Sequence, residues 1–96
     1  MNDNQNEVRL DLSSDTAQGK FSNFALISHT ANEFVFDFAF SLPGQPAQVV
    51  SRTITSPHHA KAFLQALAEN IRRYEASFGE IQEVAVREPG SRTQTN

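Results

Sequence analysis

Hydrophobic and polar residues alternate most regularly in residues 33–41, which read E-F-V-F-D-F-A-F-S. Four phenylalanines occupy every second position there, namely Phe34, Phe36, Phe38 and Phe40. Successive side chains of a β-strand point to opposite faces of the sheet. The run therefore predicts a strand with four rings on one face, which we call the phenylalanine face. The other face carries Asp37 among smaller apolar residues, and we call it the Asp37 face.

Three other segments also predict strands. Residues 8–12 alternate as V-R-L-D-L, residues 21–30 carry apolar side chains on both faces, and residues 47–55 are rich in β-branched residues. Residues 13–20 are rich in Ser, Asp, Thr and Gly, so we predict a loop between the first two strands.

A tight turn at residues 31–32 is predicted to join the second and third strands, because asparagine tolerates the positive φ that such turns require. The register of this hairpin has two alternatives. A loop of two residues sets Ile27 opposite Phe36, whereas a loop of three sets Leu26 there and reverses the faces of the strand. We favour the three-residue loop, because it adds Phe24 and Leu26 to the phenylalanine face.

A long amphipathic helix is predicted after the fourth strand. One of residues 55 and 56 is the N-cap, and Pro57 suits the first turn. Apolar residues then recur at helical spacing: Ala60, Phe63, Leu64, Leu67, Ile71, Tyr74 and Phe78. Glu69 and Arg73 form a favourable i,i+4 pair on the polar side, and Gly79 is placed to end the helix.

These elements predict an α+β fold: a four-stranded antiparallel β-meander followed by one long amphipathic C-terminal helix packed on one sheet face, the phenylalanine face. The single β-β-β-β-α domain spans residues 8–81, between a disordered N-terminal arm at 1–7 and a mostly disordered tail at 82–96. The predicted core joins sheet and helix through these side chains: Phe24, Leu26, Phe34, Phe36, Phe38, Phe40, Phe63, Leu67, Ile71 and Tyr74.

The composition limits which binding partners and which kinds of site the chain can have. The chain has 96 residues, a formal net charge of −3 and a sequence pI of about 5.5, so its overall charge does not attract nucleic acid or anionic membranes. It contains no cysteine, which excludes disulfides and thiolate sites. No apolar run approaches the roughly 20 residues of a membrane span, and the polar N-terminus does not resemble a signal peptide. We therefore expect a cytoplasmic protein with no membrane partner and no cofactor.

No constellation of side chains predicts catalysis or metal binding. His58 and His59 are adjacent, so on a helix they point about 100° apart and cannot hold one ion from one face. His29 with Glu33 and Asp37 could form an acid–base group, but no nucleophile is placed beside them. We therefore expect a protein that is not an enzyme.

Five polar residues are instead candidates for an interaction surface or interface: Asn23, His29, Glu33, Asp37 and Arg52. Asp37 is distinctive because it is a carboxylate in the middle of an otherwise apolar strand. It either faces solvent on an uncovered sheet face or is partly buried at a subunit interface. In the second case Arg52, in the middle of the fourth predicted strand, is its natural partner.

The chain resembles a family of small bacterial proteins that is classed as a domain of unknown function. The resemblance rests on the pattern S-N-F-A-x-I-S-H-T-x-x-E-F at residues 22–34 and on a helix similar to A-K-x-x-L-x-A-L-x-E-N-I-x-x-Y-E at residues 60–75. It covers residues 8 to about 81 and implies no activity. The predicted layout is also similar to that of the Whirly proteins and of the coactivator positive cofactor four, which bind single-stranded nucleic acid as dimers. That likeness is one of topology alone.

One helix can cover only one face of a four-stranded sheet, yet the predicted strands carry apolar side chains on both faces. A second copy of the chain is the most economical cover. We therefore expect a non-enzymatic homodimeric interaction module with an unknown protein partner. The alternative is a protein that binds single-stranded nucleic acid on the sheet face away from the helix.

Overall fold

The computed structural model describes residues 8–83. In chain order it contains a one-turn helix α1 (Ser14–Ala17), three strands and a long helix. The strands are β1 (Phe24–His29), β2 (Phe34–Phe40) and β3 (Gln48–Thr55), and the helix is α2 (Pro57–Phe78). The strands form one antiparallel sheet with β2 in the centre, so the α+β class and the long C-terminal helix are confirmed.

Two of the predicted segments differ from the structure at the N-terminal end. Residues 8–12 do not join the sheet, so among the described residues it has three strands and not four. The predicted loop at residues 13–20 contains α1, because the Ser13 Oγ accepts a hydrogen bond from the Thr16 backbone N–H at 3.2 Å and caps a helical turn. The disorder predicted for residues 1–7, and for residues 84–96 of the tail, lies outside the described residues.

The hairpin between β1 and β2 closes with a two-residue loop at residues 31–32. The Thr30 backbone N–H donates to the Glu33 carbonyl at 2.9 Å, and Ile27 lies opposite Phe36. The three-residue loop that the sequence favoured is therefore wrong. The cause is the Thr30 hydroxyl, whose Oγ1 accepts the backbone N–H groups of Glu33 and of the residue before it, at 3.2 and 3.1 Å.

This register decides which β1 side chains share a face with the phenylalanines. Phe24 lies opposite Ala39 and Leu26 opposite Asp37, so both side chains belong to the Asp37 face. Ile27 joins the phenylalanine face instead. A register shift after Phe38 also sets Val49 of β3 opposite Ala39, which brings a further apolar side chain to the Asp37 face.

Helix α2 begins and ends where the sequence predicts. Ser56 is the N-cap, and its Oγ accepts the His59 backbone N–H at 3.1 Å. Gly79 has a φ of 99° just after the last turn, and its N–H donates to a carbonyl of that turn at 3.0 Å. The predicted pair on the polar side forms as well, with 3.2 Å between Arg73 Nε and Glu69 Oε2.

The closed core predicted within one copy is not observed. Phe36 and Ala39 are the buried apolar residues of the described chain, at 8% and 3% exposure. Six predicted core side chains are between 40% and 50% exposed: Phe24, Leu26, Phe63, Leu67, Ile71 and Tyr74. The first two lie on the Asp37 face because of the hairpin register. The other four lie on α2, which approaches the sheet but leaves an open groove beside it.

Candidate interaction surfaces

An apolar groove separates α2 from the phenylalanine face. The Phe63 ring packs on the Phe36 ring with centroids 5.4 Å apart, and this contact forms the floor where helix and sheet meet. The groove has a volume of about 580 Å³. Its apolar lining includes Ile27, Phe34, Leu64 and Leu67. Lys61 is the charged residue that lines it.

The apolar stripe of α2 continues beyond this groove toward the C-terminal end of the helix. Ile71, Tyr74 and Phe78 are 40%, 50% and 75% exposed, and the rings of the last two lie 5.0 Å apart. Groove and stripe together form one surface, which we call the helix–groove surface. Ile27, Phe63, Leu64 and Leu67 contribute to it, and each of these side chains is between 45% and 63% exposed.

The Asp37 face is organised around an ion pair. Arg52 lies directly opposite Asp37 across the β2–β3 ladder, and its Nε and a terminal nitrogen donate to the two carboxylate oxygens at 2.7 and 2.9 Å. Asp37 is only 7% exposed, whereas the Arg52 side chain is 62% exposed. The structure thus pairs the two residues that the sequence suggested as partners, with the carboxylate buried and most of the Arg52 side chain exposed.

The ion pair shifts the titration of both groups. The hydrogen bonds from Arg52 lower the pKa of the Asp37 carboxyl, and the positive charge adds to this effect, while burial opposes it. The same hydrogen bonds and the negative charge of Asp37 raise the pKa of Arg52. Both groups are therefore charged at neutral pH.

Apolar side chains surround this pair on the Asp37 face. Phe24 and Leu26 come from β1, and Val49 and Ile54 from β3; each is between 49% and 59% exposed. A sheet face with half-exposed apolar side chains around a paired charge can bind another surface without leaving the carboxylate unsatisfied.

The other three predicted site residues make contacts that stabilise the β1–β2 hairpin or its ends. The Asn23 side chain bridges to β2, with its Nδ2 donating to the Ser41 carbonyl at 3.1 Å and its Oδ1 accepting the Ser41 N–H at 2.8 Å. His29 stacks on Phe34 with ring centroids 5.2 Å apart. Glu33 closes the hairpin turn through its backbone.

The structure does not bring the possible acid–base group together. His29 pairs with Phe34 and so lies on the phenylalanine face, whereas Asp37 lies on the other face. Within residues 8–83 no group of three or more His, Cys, Asp or Glu side chains is arranged to hold a metal ion. The His58 and His59 rings lie 5.9 Å apart at the exposed start of α2.

Sequence reasoning missed Ile27 as part of the groove, because the face it occupies depends on the hairpin register. The signal that could have identified it is Thr30, since a threonine just before a two-residue turn can accept the turn N–H groups. Sequence reasoning likewise gave Asn23 no specific structural role. Asparagine can imitate a backbone amide at the end of a ladder, and Asn23 does so here.

The fold and its surfaces define a small α+β domain with two apolar faces. The chain belongs to the family described as "Protein of unknown function (DUF3467)", whose model matches residues 1–83. This agrees with the resemblance seen in the sequence. No curated protein matches the chain. No solved structure matches it either. Among the described residues, no helix has the length and apolar character needed to cross a membrane.

Proposed function

We propose that the protein is a non-enzymatic homodimeric interaction module of the bacterial cytoplasm. The observation that carries this proposal is the helix–groove surface, on which seven large apolar side chains stay between 40% and 75% exposed in one copy. Burying apolar surface is the main favourable term in folding and in most protein association. A chain that leaves this much uncovered gains stability by covering it with a second copy.

The exposed area is of the size that a dimer needs. Phe and Tyr side chains bury roughly 150–250 Å² each, and Leu and Ile are somewhat smaller. The seven of the helix–groove surface, about half exposed, therefore offer roughly 650 Å² per copy, close to the roughly 800 Å² per partner of a standard interface. A symmetric contact between two α2 stripes would bury this surface on both copies at once.

A dimer formed through α2 leaves the Asp37 face free for a further protein partner. The half-exposed side chains of Phe24, Leu26 and Ile54 supply apolar contact, and Arg52 supplies donors at its exposed end. The alternative function, binding of single-stranded nucleic acid, would use the same face, with Phe24 as a ring for stacking. The Asp37 carboxylate already neutralises Arg52, which favours the protein partner.

The dimer is tested by sedimentation velocity at micromolar concentration. We expect the parent chain to sediment at twice its 10.7 kDa mass. Ile71→Glu, on the apolar stripe, should give monomers, because it places a charge in the interface. Gln65→Glu, on the polar side of the same helix, adds the same charge and should stay dimeric. A parent chain that sediments as a monomer at every concentration would contradict the proposal.

A separate measurement tests the nucleic-acid alternative. Fluorescence anisotropy with a labelled single-stranded oligonucleotide at low salt should show no binding. Binding that weakens steeply with added salt and is reduced by Phe24→Ala would favour the alternative. The matched control is Phe21→Ala, because Phe21 packs against Phe40 of the phenylalanine face at a centroid distance of 5.9 Å.

A further inference from the structure

Residues 8–12 have the pattern of a strand but pair with no strand among residues 8–83 of one copy. Val8, Leu10 and Leu12 recur at every second position and are 81%, 86% and 67% exposed. Arg9 and Asp11 alternate with them. Such a segment can bury its apolar side chains only by joining a sheet or another apolar surface.

The sheet has a free edge suited to this segment. In the strand order β1-β2-β3, the outer side of β3 has no neighbouring strand among residues 8–83. Its unpaired N–H and C=O groups can accept an added strand. The other free edge, on β1, carries no charged side chain among its six residues apart from the ionisable His29.

The charged residue of β3, Arg52, favours one register for the added strand. Arg52 contacts Asp37 of β2, and its side chain remains 62% exposed. If Asp11 lies opposite Arg52, a row Asp37, Arg52, Asp11 of alternating charge crosses the Asp37 face. In an antiparallel pairing, like the other pairs of this sheet, Leu10 then lies opposite Thr53.

The apolar residues of the segment match this register as well. Thr53 lies opposite Phe36, so Leu10 would extend the phenylalanine face by one strand. Leu12 would do the same beside Ser51, which lies opposite Phe38. A shift by one residue would instead turn the three apolar side chains away from that face.

In one copy residues 8–12 stay exposed and outside the sheet, although α1, which follows them, lies near β3. Asp15 and Thr16 of α1 line a cavity of about 530 Å³ together with Phe38, Val50 and Ser51, so α1 lies over the phenylalanine face near β3 of its own copy. From there residues 8–12 extend into solvent and not along the edge of that β3. A neighbouring copy can supply the edge by exchange of identical segments.

We propose that residues 8–12 add to β3 of a second copy as an antiparallel fourth strand, with Asp11 beside Arg52 of that copy. This inference rests on the proposed dimer and adds a second contact between the copies to the one between their α2 helices. It also explains how the three strands among residues 8–83 of one copy become the four-stranded sheet that the sequence pattern predicts. Each copy then covers the edge of the other.

Disulfide trapping tests the inference directly, because the chain contains no cysteine of its own. A Leu10→Cys chain is mixed with a Thr53→Cys chain that carries a mass tag, and the mixture is oxidised. Residues directly opposite in an antiparallel pair have a Cα separation that a disulfide can span. We expect the mixed disulfide between the two different chains.

Two control variants measure the register. Arg9→Cys replaces Leu10→Cys in the first control; its side chain points to the opposite face, so the mixed disulfide with Thr53→Cys should be lost. Asp11→Asn, added to the Leu10→Cys chain, should slow the cross-link about two- to fivefold, which is the range expected for an exposed ion pair.

The outcomes separate this inference from the dimer itself. A dimeric mass by sedimentation without the mixed disulfide overturns the strand exchange and leaves the proposed function standing. A monomeric mass overturns both. A chain that carries both substitutions and cross-links only within itself shows that residues 8–12 pair with their own β3, which also overturns the exchange.

Discussion

Leu67→Ala measures how much α2 contributes to association, because Leu67 lies in the groove and is 45% exposed in one copy. Full burial of a leucine side chain contributes about 1.5–3 kcal/mol. The exposed part of Leu67 therefore has about 1 kcal/mol still to gain when a second copy covers it. A symmetric interface contains the residue twice, so its truncation should weaken the dimer by about 2 kcal/mol.

This free energy corresponds to a roughly 30-fold increase in the dimer dissociation constant. Sedimentation equilibrium over a dilution series measures that constant for the parent and the variant. Leu42→Ala is a matched control, because Leu42 is also 45% exposed and lies in the loop after β2, away from the groove. We expect this control to leave the constant within about twofold of the parent.

Two results would refute the reasoning about Leu67. Equal constants for Leu67→Ala and the parent would mean that the α2 stripe is not in the interface. Equal effects of Leu67→Ala and Leu42→Ala would mean that the loss is a general consequence of removing an exposed leucine. In either case the second copy would have to bind elsewhere.

Further predictions concern the stability of the fold, measured by urea denaturation at one fixed protein concentration. Phe36→Ala should lower the unfolding free energy by about 3–5 kcal/mol, because this buried ring contacts Phe63; a change below about 0.5 kcal/mol would mean that the ring is not packed. Asn23→Ala should cost about 1–2 kcal/mol through the two hydrogen bonds to Ser41, and hydrogen exchange at the Ser41 amide should speed up. Ser56→Ala should cost about 1 kcal/mol by removing the N-cap of α2, and loss of helical circular dichroism at lower urea checks it. The lowered pKa of Asp37 stabilises the folded state above the ordinary carboxyl pKa of about 4, and this contribution is lost as the pH falls through the folded-state value. The loss of stability between pH 7 and pH 3 should therefore be smaller for Asp37→Asn than for the parent.

Much of the fold could be predicted from local sequence. The alternating phenylalanines define β2, and Ser56, Pro57 and Gly79 define the ends of α2, because each signal depends on residues adjacent in the chain. The partner of Asp37 could also be predicted, because Arg52 is the basic residue in the middle of the other well-defined strand.

The faces of β1 could not be predicted in the same way. Alternation is equally compatible with two registers, and the choice depends on two hydrogen bonds to the Thr30 hydroxyl. The shift after Phe38 has a similar effect on Val49, because strict alternation would place it on the face opposite to Arg52. The prediction of the site was incomplete for the same reason, because Ile27 lies in the groove only in the observed register.

The extent of the core was overestimated for a different reason. A helical stripe shows which side chains need cover but does not show which surface covers them. Ile71 and Tyr74 satisfy the pattern and yet stay exposed in one copy. Hydrophobic patterning therefore shows which face of an element is apolar. It does not show whether the surface that covers this face belongs to the same chain.

The hairpin of β1 and β2 is held by side chains at both ends, with Thr30 in the turn and Asn23 at the open end. These contacts join residues at most 18 positions apart, so the hairpin needs only a short part of the chain to form. Local contacts of this kind form rapidly and without a partner molecule, whereas association of two copies depends on their concentration. During synthesis the hairpin leaves the ribosome before α2 does. The contacts that fix the register of β1 against β2 therefore lie in a part of the chain that is complete before the apolar helix is made.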